Sequence, residues 1–176
     1  MSIKVRYQIF CTKTKAPLVD TYDRTMAYVD FQDCLRNPKG DVYRLEQTPE
    51  PDGALTKSEE YLMLVYRVRK LWRQYFDHGR DQEVLKASIE QEKKLDDWNS
   101  RISAISQNNA GPLHIKDREA FDFYIVVRGW REACKDRKRY SKQKDYDPQV
   151  LSEISKKCRD FEKQIDKYVK DKIGLI

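Results

Sequence analysis

Residues 56–107 read TKSEEYLMLVYRVRKLWRQYFDHGRDQEVLKASIEQEKKLDDWNSRISAISQ, and the spacing of their apolar side chains decides the architecture. Thr56 stands three residues before Glu59, the arrangement of a capping box in which the two ends satisfy each other's amides. Tyr61, Val65, Val68, Trp72, Tyr75 and Phe76 share one helical face, opposite Glu60, Arg67, Lys70 and Gln74. Gly79 suits the left-handed residue that closes a helix, and Asp81 suits the cap of the next. In that second helix Leu85, Ser88 or Ile89, Glu92, Leu95, Trp98, Ile102 and Ile105 mark a narrow stripe among charged residues, as in a helix packed along one seam. Asn108, Asn109, Gly111 and Pro112 end it. The stretch reads as an antiparallel helical hairpin joined at His78-Gly79-Arg80-Asp81.

Arg69, Tyr75-Phe76, Arg80-Asp81, Leu85, Ser88, Glu92, Leu95 and Asp96 carry a resemblance. Residues 69–96 are similar to a helical hairpin that recurs in small proteins of bacterial phages and mobile elements, most of unassigned function. The pattern differs here at Trp72, where a polar residue is usual, and by an extra residue around Gly79. The resemblance implies a genomic context and carries no functional residue with it.

The chain on either side reads differently. Ile3, Val5, Tyr7, Ile9 and Cys11 alternate with Lys4, Arg6, Gln8 and Phe10, the period of a strand. A turn at 13–17 precedes a second strand from Leu18 to Tyr22, and Ala27, Phe31, Cys34 and Leu35 then share a helical face. Asp41 to Gln47 reads as a third strand, and Thr48-Pro49-Glu50-Pro51-Asp52-Gly53 as a semi-rigid spacer. Beyond Pro112, Asp117 opens a helix running through Phe121, Tyr124, Val127 and Trp130 towards Tyr140. Phe123 to Val127 also has high strand propensity, but both flanks are helix-like, and the apolar run predicts the most buried helix of the protein. Asp147-Pro148, a cap followed by a first-turn proline, starts the last helix. Its seam of Leu151, Ile154, Cys158, Phe161, Ile165 and Tyr168 is the most regular in the chain. The expected fold is α+β, with a β-β-α-β unit (1–47), a proline-rich linker (48–55) and a domain of four mostly antiparallel helices (56–176).

Composition narrows the function classes. Apolar residues make up 39% and charged residues 36% of the 176, so the cores are modest and the exterior heavily solvated. No run approaches the ~18 apolar residues of a membrane span, and no signal-peptide core opens the chain, so a cytoplasmic location is expected. The four cysteines, Cys11, Cys34, Cys134 and Cys158, are scattered in apolar registers and read as buried reduced thiols. No nucleophile stands at an interpretable distance from a base, and no glycine-rich phosphate loop occurs. His78 reads as a helix-end residue and His114 as a loop residue, while Glu90, Glu92, Asp96 and Asp97 lack the Glu-x-x-His spacing of di-metal bundles. No catalytic residue, cofactor or metal is expected, and the chain reads as a binding protein.

Two surfaces are candidates for binding. The six-residue seam from Leu151 to Tyr168 is either internal helix packing or an oligomer interface. Lys and Arg outnumber Asp and Glu by 35 to 29, and the excess concentrates at Arg128, Arg131, Lys135, Lys138, Arg139 and Lys142, most of them on one helical face suited to phosphates. The function expected is that of an accessory protein of a phage or mobile element, contacting a protein or a second copy of itself through its helices, as a virion component or a modulator of a host factor. The alternative is a nucleic acid or ribonucleoprotein bound on the face Arg128–Lys144.

Overall fold

The computed structural model describes residues 3–14, 16–36, 38, 40–77, 79–108 and 118–176, with the backbone alone for 103–108. The fold is α+β, and the chain divides into two compact units, Met1–Leu55 with Val169–Ile176, and Thr56–Tyr168.

The first unit contains β1 (Ile3–Cys11), β2 (Val19–Thr21), α1 (Arg24–Arg36) and β3 (Tyr43–Pro51). The strands form a sheet of order β2-β1-β3 with both neighbours antiparallel to β1. The alternation along β1 sorts its faces: Ile3, Val5, Tyr7, Ile9 and Cys11 are buried, and the residues between them are not. α1 lies against all three strands, with Ala27 fully buried where a larger side chain would hold the helix away. The polar face carries Arg6 paired with Asp20 and Arg44 over the ring of Phe10.

Two boundaries differ from the sequence reading. Pro49 and Pro51, expected in a linker, are strand residues paired across from Val5 and Ile3. The Thr12 amide donates to the Val42 carbonyl at 3.0 Å, which fixes the even-numbered residues of this ladder as the hydrogen-bonded ones. Both prolines therefore turn their nitrogens away from β1, where a missing N–H removes no ladder bond. The last helix, expected wholly in the helical domain, gives its C-terminus to the sheet unit. There Val169 and Ile173 are buried, the Tyr7 hydroxyl donates to the Gly174 carbonyl at 2.7 Å, and Arg24 donates to the Leu175 carbonyl at 3.0 Å.

The second unit is helical: α2 (Lys57–Asp77), α3 (Gln82–Asn108), α4 (Arg118–Tyr140) and α5 (Pro148–Ile173), the last passing into the sheet unit at Val169. Thr56 and Glu59 form the expected capping box, the Glu59 amide donating to Thr56 Oγ1 and the Thr56 amide to the Glu59 carboxylate. α2 and α3 pair as a hairpin whose turn puts Gly79 at φ 94° and Arg80 at φ 60°. Asp81 then caps α3 through its carboxylate, which accepts from the Glu83 amide at 2.7 Å. Residues 121–127 are helix, with Phe123, Tyr124 and Val127 buried while Phe121 and Ile125 are exposed. Tyr61 to Val65 on α2 are buried without interruption, since five consecutive apolar side chains cover the whole circumference of that turn.

Tyr61 is the hub of this unit. Its ring lies 5.9 to 6.3 Å from those of Trp98, Phe123 and Tyr124, and its hydroxyl donates to Asn99 Oδ1 at 2.8 Å. Burial pushes the Tyr61 phenol far above its ordinary value, so it remains a donor. α4 meets α5 where Phe161 lies over Gly129 and Phe123 stacks on Tyr168 at 4.1 Å. Cys134 neighbours Cys158 there, and burial pushes the Cys134 thiol up to about 12, so it stays protonated. Cys11 is likewise buried and Cys34 half-buried, all four free. Among the described residues no helix is long and apolar enough to cross a membrane.

Candidate interaction surfaces

α4 carries the basic face expected from the sequence, and the fold divides it in two. Arg131 faces inward, 9% exposed, and its guanidinium donates to both Asp96 oxygens at 2.9 and 3.0 Å and also to Glu92. Burial opposes its charge, but the hydrogen bonds to Glu92 and Asp96 outweigh that, and the group is held above its ordinary range. Two guanidinium groups lie over the Trp130 ring, Arg69 at 5.2 Å and Arg131 at 5.6 Å from its centre. Arg69 in turn pairs with Glu162 and Asp166 of α5, Arg73 with Asp166, and the Trp130 indole N–H donates to Glu162.

Arg131 is therefore a clamp between α3 and α4, and it leaves the set of residues open to phosphate. The carboxylates holding it are Glu92 and Asp96, and Asp97 pairs with Arg101. Among the other basic candidates, Arg128 pairs with Glu132 at 3.0 Å, Lys135 reaches Asp96 at 4.0 Å, and Arg139 reaches Asp136 at 3.9 Å. Lys138 and Lys142 are exposed near the end of α4, beside exposed Arg137 and Lys144. The surviving positive surface is this C-terminal end, where lysine and arginine also oppose the helix dipole.

The α5 seam is partly covered. Cys158 and Ile165 are fully buried, and Leu151, Ile154, Phe161 and Tyr168 are half-buried, with Phe161 and Tyr168 against α4. His78 and His114 lie outside the described residues, as does the side chain of Ile105. Among the described residues no group of three or more His, Cys, Asp and Glu side chains is placed to hold a metal ion.

A surface that sequence reasoning assigned to the core lies at the end of α2. Trp72, Tyr75 and Phe76 pack on one another, Trp72 stacking on Phe76 at 5.8 Å and Tyr75 meeting both rings edge-on. Phe76 is 63% exposed although its register matches Val65 and Val68, which are fully buried. Ile89 of α3 is also exposed. The signal that marks the difference is proximity to the turn, where Gly79 reverses the chain within a few residues of the triad. In comparisons with known proteins, no family model matches the chain, nor does any curated protein or solved structure.

Proposed function

We propose that this is a non-enzymatic binding protein that acts through protein–protein contacts of its helical region. The observation that carries this reading is the aromatic triad at the hairpin turn, with Phe76 solvated and Trp72 and Tyr75 half-buried beside it. Aromatic side chains supply much contact area at little entropy cost, so an exposed stacked group is a natural anchor for a partner's apolar pocket. Arg69 and Arg131 are engaged in ion pairs that tie helix to helix, as expected of a rigid frame presenting a surface. The resemblance of residues 69–96 supports placing it among accessory proteins of phages and mobile elements, as a virion component or a modulator of a host factor. Free thiols at Cys11 and Cys158 fit the reducing cytoplasm of a host cell.

Affinity capture from the native host lysate, with and without nuclease, tests this. The expected outcome is a protein partner retained after nuclease and lost with Phe76→Glu. A partner captured equally by Phe76→Glu would remove the triad from the reading.

The second reading, nucleic-acid binding at the end of α4, is favoured by the cluster of exposed Arg137, Lys138, Lys142 and Lys144. Gel shifts across a salt series distinguish it. Binding that weakens steeply with salt and is lost when Lys138 and Lys142 are reversed to Glu would establish it, and insensitivity to that change would exclude it.

A further inference from the structure

β3 is an edge strand, and its outer side is complementary to itself. The phase set by the Thr12–Val42 hydrogen bond turns Arg44 and Glu46 towards β1 for their backbone bonds, and turns the amide and carbonyl of Leu45 outward. Among the described residues no backbone hydrogen bond reaches the outward side of Tyr43 or Leu45. Arg44 and Glu46 flank Leu45, and both project from the polar face of the sheet. Their side chains are 69% and 43% exposed and pair with each other at 2.7 Å. Arg44 is also laid over the Phe10 ring at 5.3 Å, which holds it along the sheet surface.

We propose that β3 pairs antiparallel with β3 of a second copy of this chain, about a two-fold axis at Leu45. In this register each Leu45 N–H donates to the partner's Leu45 carbonyl. Arg44 then stands across from the partner's Glu46, and Glu46 across from the partner's Arg44, so symmetry makes two cross-strand ion pairs. Neighbouring symmetric registers are worse. An axis at residue 44 opposes arginine to arginine, and one at residue 46 opposes glutamate to glutamate. Pro49 ends the pairing, because it has no N–H to offer at an outward position. An edge built only to repel would carry like charges across this axis, whereas Arg44 and Glu46 convert the same positions into attraction. The interface lies on the sheet unit and goes beyond the helical surface proposed above.

Sedimentation equilibrium of the full chain over a concentration series tests the pairing. The wild type is expected to show a monomer–dimer equilibrium. Arg44→Glu or Glu46→Arg alone sets like charges opposite each other twice and should weaken dimerisation about tenfold or more. Mixing the two single variants should restore association as a heterodimer, and the double variant R44E/E46R should restore self-association. Leu45→Pro removes the outward N–H without touching the β1 ladder and should leave a folded monomer, with circular dichroism as the check on folding. Phe76→Glu should leave the dimer unchanged, which separates this inference from the helical-surface reading. A wild type that is monomeric at every concentration overturns the proposal, as does a dimer indifferent to R44E and L45P, or single variants that fail to associate on mixing.

Discussion

At the scale of single residues, the chemistry of this protein is concentrated in its buried and half-buried ion pairs. Arg131 is 10% exposed in its side chain and is the counter-charge for both Glu92 and Asp96. Replacing it with alanine leaves two carboxylates facing each other beside Trp130. Arg131→Ala should therefore lower stability by roughly 2–4 kcal/mol, read from denaturant unfolding. A loss comparable to that of an exposed pair would mean that water already screens the site. A second residue-scale outcome concerns acid. Arg6 donates to Asp20 at 2.8 and 2.6 Å, and this hydrogen bond, with a smaller one from Gln8, holds the Asp20 carboxyl below its ordinary 3.8. Above 3.8 both folded and unfolded chains carry the carboxylate, and the pair contributes in full. As pH falls below that value the unfolded chain takes up the proton first, so this contribution declines until the folded carboxyl is protonated as well. Asp20→Asn should flatten that part of the acid-unfolding profile, and an NMR titration of Asp20 should place its midpoint below 3.8.

At the scale of elements, helix ends and periods were legible because they depend on residues a few positions apart. The Thr56–Glu59 box, the Gly79 turn and the Asp81 cap stand where local chemistry put them. β3 runs past its sequence-expected end at Gln47, because a proline's place in a strand depends on the pairing phase, which here turns the nitrogens of Pro49 and Pro51 outward. Within α4 the apolar run 121–127 is covered on one side only, Phe121 and Ile125 staying exposed, because an apolar run does not say which of its faces will find a neighbour. The α4–α5 contact yields a prediction at this scale. A Cβ on Gly129 would meet Phe161 Cζ at 2.7 Å, so the helices approach closely there because the glycine has no side chain. Gly129→Val should push the ring aside and cost roughly 1–3 kcal/mol, measured by thermal or chemical unfolding. Retention of full stability would show that Phe161 has room to rotate.

At the scale of the whole molecule, the last eight residues belong to the sheet unit. Val169 and Ile173 fill its core, and Gly174, Leu175 and Ile176 bond to Tyr7, Arg24 and Gln47. A chain truncated after Tyr168 should lose protection of the β1 amides in hydrogen exchange while α2 and α3 keep theirs. Equal protection in the truncated and full chains would show that β1 to β3 with α1 stand alone.

What the sequence determined by itself was the class of fold, the order of its elements and the places where they begin and turn. Those follow from side-chain period and capping, which act within one or two turns of chain. Only the tertiary structure decided that Arg131 faces carboxylates rather than solvent, that Phe76 stays in water while Val68 is covered, and that α5 ends against β1. Each of these depends on groups brought together from distant parts of the chain, and periodicity carries no information about which distant group arrives.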